Sequence, residues 1–128
     1  DLLTSFVSND NGRTWNRLDP PVSNTGNGGS PPALVQLENG DLALAYAVRS
    51  DRGSRICVKF SSDEGQTWSR EHVLRADGAN SDIGYPRMVQ RPDGKLVVVY
   101  YWNQALVDET PPWRFIAATI FDPEPFVE

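Results

Sequence analysis

The chain is poor in the residues from which metal clusters and covalent frameworks are built. Its 128 residues include one cysteine, Cys57, one histidine, His72, and one methionine, Met88. A lone cysteine excludes an intrachain disulfide framework and a cysteine metal cluster, and Cys57 reads as a small apolar residue within a strand. A lone histidine leaves few routes to a zinc site or a Ser/His/Asp triad, and His72 reads as a surface or strand residue. No metal and no cofactor is therefore expected. Basic residues are in the minority, 12 Lys and Arg against 17 Asp and Glu, for a net charge of −5. With no basic stripe, the balance argues against nucleic acid and an anionic membrane surface, although local arginines could bind a small anion. No membrane insertion is expected, and no segment shows convincing helical periodicity. No signal peptide is visible. Met88 is the sole methionine and Asp1 comes first, so a processed chain, an expressed segment or a fragment of a longer gene is expected. The length allows one modest core.

Against these absences stands a pattern that occurs twice. Ser8-Asn9-Asp10-Asn11-Gly12-Arg13-Thr14-Trp15 and Ser61-Ser62-Asp63-Glu64-Gly65-Gln66-Thr67-Trp68 share five positions, Ser, Asp, Gly, Thr and Trp, at a spacing of 53. The chemistry of the pattern is structural. A short carboxylate accepts bonds from the free amides of a tight turn, Gly allows positive φ, and Trp packs beneath. A calcium reading fails against the EF-hand loop, because the positions five before each Gly are Val7 and Phe60.

A second repeat aligns without gaps at an offset of 54: Pro32 to Leu42 lies over Pro86 to Leu96. Asn39-Gly40 and Asp93-Gly94 are hairpin signals, predicting type I′ turns with positive φ at both central residues. Each hairpin leads into an apolar run, Leu42 to Val48 and Leu96 to Tyr101, which suits a strand covered on both faces. The next strands are Arg55 to Ser61 and Arg114 to Phe121. In the first, Ile56, Val58 and Phe60 alternate with Arg55, Cys57 and Lys59, as in a half-buried strand. Naming the four strands of a repeat A to D, the chain reads C, D, then A, B, C, D, then A, B, C. About nine strands give a little over two blades, too few to close a ring, so open edges invite another chain or missing sequence.

The two SxDxGxTW turns, the two hairpins and the stretch Asp82-Ile83-Gly84-Tyr85-Pro86-Arg87 through Leu96 together resemble the sialidase-like family of Asp-box, or BNR-repeat, six-bladed β-propellers. The likeness runs from Leu2 to about Phe121 and is similar to the C-terminal part of such a protein. It implies an all-β fold of four-stranded antiparallel blades. Residues 1–22 would end one blade, 31–75 form a complete blade and 84–122 form most of a third. The family implies a secreted or periplasmic protein and a carbohydrate partner. The incomplete ring implies missing N-terminal blades or a homo-oligomer.

Strand alternation places the hairpins and both Asp boxes on one rim. The opposite rim collects residues 23–31, 49–54, 77–84 and 102–113. In resembling sialidases that opposite rim is catalytic: three arginines grip the substrate carboxylate, a Tyr paired with a Glu is the nucleophile, and an Asp is the acid/base. A phenol suits an anomeric carbon that already carries a carboxylate, an exception to the two-carboxylate rule. Tyr85 sits where the family motif places the nucleophile; as a plain strand-start aromatic its hydroxyl would bond locally. Arg55 resembles the third triad arginine, and a merely repeated strand-edge arginine, as at Arg114, reads equally. Arg87 would bind an acidic or hydroxylated sugar or pair with Asp82. Asp82 would be a catalytic carboxylate or make a turn bond. Arg49 joins them as a rim arginine. Trp102 and Trp113 would stack on a sugar or be buried between blades, and the same two readings cover Tyr100 and Tyr101. The first arginine and the acid/base Asp of such a site have no counterpart in this sequence.

Overall fold

A computed structural model describes residues 1–104 and 113–126. Among the described residues nine strands form three antiparallel sheets in chain order. The first sheet pairs β1 (Phe6–Val7) with β2 (Asn16–Arg17). The second runs β3 (Ala33–Gln36), β4 (Leu42–Val48), β5 (Ser54–Ser61) and β6 (His72–Gly78). The third runs β7 (Gly84–Gln90), β8 (Leu96–Gln104) and β9 (Trp113–Phe121). The strand order read from the repeats is the order observed, and the fold is all-β, built from propeller blades.

The sheets stack face to face. Ala33, Ala45, Ala47 and Ile56 on one face of the second sheet meet Val98, Tyr100 and Trp102 of the third and Ile83 just before it. The opposite face, with Leu44, Tyr46, Val48 and Cys57, packs on Val22, Leu3 and Trp68. β4 is therefore covered on both sides, as its apolar run predicts. β5 departs from the half-buried reading, because Cys57 is as fully buried as Ile56 and Val58. β8 departs the other way. Leu96, Val98, Tyr100 and Trp102 are buried, whereas Val99 is exposed and Val97 and Tyr101 are half-buried, because no sheet lies on that side among the described residues. His72 is buried in β6, its ring 4.8 Å from that of Phe126.

Both Asp boxes close as self-contained turns. Asp63 accepts from the Thr67 amide at 2.9 Å and the Ser61 hydroxyl at 2.8 Å, and Trp68 Nε1 donates to the Gly65 carbonyl at 3.2 Å. Asp10, Thr14, Ser8, Trp15 and Gly12 repeat these bonds in the first box. Gly12 and Gly65 have φ of 83° and 85°, which removes the steric cost of the left-handed turn. The A–B hairpins are not type I′. Only Gly40 and Gly94 have positive φ, and the amides of both bond back to Leu37 and Arg91, a three-residue loop ending in a left-handed glycine.

Candidate functional site

Opposite the Asp boxes, four segments converge on one rim. The first is the loop before β3, fixed by a close backbone approach. Gly26 forms a parallel bridge with Arg49, and a Cβ at Gly26 would lie 1.8 Å from the Arg49 carbonyl oxygen. Asn27 donates to the same oxygen at 2.7 Å. Arg49, just past β4, then spreads its guanidinium over the rim. Nε donates to the Ile83 carbonyl at 2.9 Å, Nη1 to the Gly29 carbonyl at 3.0 Å, and Nη2 to the Tyr101 hydroxyl at 3.3 Å.

The second feature is the start of β7. The register slips between Gly84 and Arg87, so the strand bulges there. Tyr85 has φ of 52°, a left-handed conformation that a bulky residue seldom adopts and that costs about 1–3 kcal/mol. Its amide is held by Ser30 Oγ at 2.8 Å, and Gly84 leaves no room for a side chain, with Ser30 Oγ 2.6 Å from where a Cβ would be. The Tyr85 ring is half-exposed, 5.9 Å from the Tyr101 ring and 5.6 Å from the Arg49 guanidinium carbon. Strain held by a neighbouring hydroxyl, on an exposed phenol beside an arginine, makes Tyr85 the candidate position of this rim.

The third feature is a carboxylate between two donors. Asp82 accepts from the Tyr101 hydroxyl through Oδ1 at 2.8 Å and from Arg114 Nε through Oδ2. The Arg114 bond, then that of Tyr101, hold the Asp82 carboxyl below the usual carboxylate range. In this structure both of its oxygens act as hydrogen-bond acceptors. Burial, reinforced by the bond to Asp82, pushes the Tyr101 phenol upward.

The remaining expectations sort plainly. Arg55 is bonded to Glu71 Oε1 at 2.9 Å, and Tyr46 donates to the other Glu71 oxygen at 2.7 Å. Its face of β5 packs toward the first sheet, away from Tyr85, because strand side chains alternate. Burial, with Glu71 nearby, also pushes the Cys57 thiol up to about 12, so it is inert. Arg87 is exposed and donates to the Pro86 carbonyl at 3.0 Å, while Asp82 pairs with Tyr101 and Arg114 instead. Trp102 is fully buried, its Nε1 bonded to Asp77 and Arg75 over its ring at 4.8 Å, which leaves no ring face for a sugar. Trp113 is exposed at the start of β9. Of the rim segment 102–113, residues 105–112 lie outside the described residues. Ser30 carries no role in the sequence reading, Arg114 reads there as a strand-edge repeat and Tyr101 as a sugar-stacking or buried aromatic; the offset of 54 that sets Tyr101 over Ala47 marks Tyr101 as a polar departure from the repeat. Among the described residues no cluster of His, Cys, Asp and Glu could hold a metal ion.

The sequence profile of the BNR repeat-like domain matches residues 2–98. The chain belongs to this BNR repeat-like family. Among solved structures it is similar to the alpha-L-arabinanase of Penicillium chrysogenum complexed with arabinobiose, at 18% identity and a TM-score of 0.63. The match covers 94% of this chain and 37% of the arabinanase, so the chain spans just over a third of that protein's length. A protein of unknown function from Dyadobacter fermentans is similar at 20% identity over 90% of this chain and 44% of that one, with a TM-score of 0.41. A search of curated proteins returned no match. The arabinanase likeness concerns the fold, and with the BNR repeats it makes this chain a segment of a propeller.

Proposed function

We propose that this BNR-repeat segment forms part of a sialidase-like glycoside hydrolase that cleaves a terminal sialic acid or a related acidic sugar. The observation that carries the reading is Tyr85, a half-exposed phenol held at φ 52° beside Arg49 and the Tyr101–Asp82 pair. Arginine recognition of a planar carboxylate needs free N–H groups. A guanidinium has five. Arg49 uses three in the bonds described, and Arg114, with a side chain 56% exposed, uses Nε on Asp82. Both therefore keep donors for a substrate carboxylate. With that carboxylate bound, the Tyr85 oxygen attacks the anomeric carbon as the bond to the leaving alcohol breaks; water then cleaves the tyrosyl–sugar bond. The phenol proton needs a base; Asp82 bonds Tyr101 and Arg114, and the Glu that the family resemblance pairs with the Tyr would take the proton. The acid that protonates the leaving alcohol would come from sheets outside this chain, which spans only part of a ring.

A second reading has its own support. The exposed apolar face of the third sheet favours a non-catalytic propeller segment that self-associates and binds carbohydrate. Tyr85→Phe separates the two in the longest protein that carries this chain, assayed with a fluorogenic sialoside. The hydrolase reading expects kcat to fall by about 100-fold or more. Undiminished turnover sinks that reading, and glycan binding without turnover in the parent protein favours the second.

A further inference from the structure

Beneath the rim, one buried amide is not explained by packing. Asn103, near the end of β8, is fully buried. Its Nδ2 donates to Asn80 Oδ1 at 2.8 Å, while its Oδ1 has no partner among the described residues. A buried acceptor left unmade is costly, and an apolar side chain of similar volume would avoid that cost. The side chain's described hydrogen bond is the one to Asn80. Asn80 Oδ1 is shared: it also accepts the Asp82 amide at 2.9 Å. The main-chain carbonyl of Asn103 meanwhile accepts the Ala79 amide at 2.8 Å. One residue of a rigid strand thus grips both the beginning and the middle of the turn that carries Asp82. Asp82 in turn must meet Tyr101 on one oxygen and Arg114 on the other, a geometry that tolerates only small displacements of its backbone.

We infer that Asn103 is a positioning residue for the Asp82–Tyr101 pair, acting through the side chain of Asn80. The inference rests on the reading of this rim as the substrate site, but its first test does not. Carboxyl-carbon NMR on the whole chain, with Asp82→Asn identifying the resonance, reads the Asp82 titration directly. The charged and titratable groups facing Asp82 are Arg114, Arg49 and Tyr101, and none of them is altered. In Asn103→Leu, which fills the volume and removes the donor, the Asp82 midpoint rises toward the ordinary carboxylate range as its two bonds loosen. Asn80→Ala, at a half-buried loop position outside the strands, gives the same upward shift, and the double variant adds nothing further. A midpoint that stays put in folded Asn103→Leu and in Asn80→Ala overturns the inference, as do fully additive shifts. If Tyr85→Phe leaves turnover intact while the Asp82 midpoint still moves in both variants, the hydrolase reading fails and the positioning role stands.

Discussion

The second and third sheets have nearly the same strands and opposite fates. At an offset of 54 residues, Leu42 to Val48 of β4 lies over Leu96 to Trp102 of β8. The registers Leu42↔Ser61 and Leu96↔Phe121 then set Ile56, Val58 and Phe60 against Ile116, Ala118 and Ile120. In the second sheet that face is buried, because the third sheet lies on it. In the third sheet the equivalent face is open, with Ile116 72% and Ile120 54% exposed. An apolar strand therefore announces what it can bury, and the stack decides what it does bury. The same face that receives a sheet in the middle of the stack is ready to receive one at its end.

The comparison breaks most directly at one matched pair. Ile56→Ala should cost about 2–5 kcal/mol, through lost transfer energy and the cavity left behind. Ile116→Ala should stay within about 0.5 kcal/mol. Urea denaturation of the two variants reads this difference. A cost at Ile116 approaching that at Ile56 would mean that the open face is covered in solution.

Covering can be tested on its own. If the face pairs with the same face or another sheet of a second copy, light scattering of the wild-type chain should rise with concentration. Ile116→Lys with Ile120→Lys should weaken that association about tenfold or more, from the apolar area withdrawn. Monomeric wild type at high concentration would limit the face to partners other than itself.

How much of this was legible in the sequence follows the range of the interactions. The Asp boxes and hairpins are local, so their residues announce them, and the strand order follows from the repeat alone. The site depends on which side chains reach across four segments, and there the reading faltered. Arg55 carries the expected spacing but points across β5 toward Glu71. Arg49 fills the place beside Tyr85 because the Gly26 bridge brings its loop there. Of the two readings of Trp102, stacking on a sugar or burial between blades, the packing of the third sheet on the second decides for burial. The hairpins misled in detail, since an Asn-Gly or Asp-Gly pair serves a three-residue loop as well as a type I′ turn.

A smaller contrast separates the starts of β3 and β7. Pro31 occupies the place that Tyr85 holds in the next repeat, and its ring fixes φ near −65°. Tyr85 sits at 52° instead. Tyr85→Gly should therefore raise stability by about 1 kcal/mol while removing the proposed nucleophile, a trade of activity against stability. Thermal unfolding checks it. A loss of stability would show that the contacts of the Tyr85 ring with Arg49 and Tyr101 outweigh the strain.

The smallest expected effect lies at the two Asp boxes, which make the same internal bonds in different surroundings. Trp15 is 61% exposed, whereas Trp68 is half-buried against the second sheet. Asp10 and Asp63 are nonetheless both held down to about 2, first by the hydroxyls of Thr14 and Thr67 and then by the amides of the same residues. A depressed folded value stabilises the protein above the ordinary Asp value and loses that contribution as pH falls toward 2. Asp10→Asn and Asp63→Asn should each flatten the acid limb of stability between about pH 4 and 2 and leave the profile above it unchanged in shape. Denaturant midpoints across that range supply the measurement. Equal flattening would show that each box titrates as a closed turn whatever lies under its tryptophan. A larger effect at Asp63 would mean that packing against the second sheet, and not the turn alone, couples the box to folding.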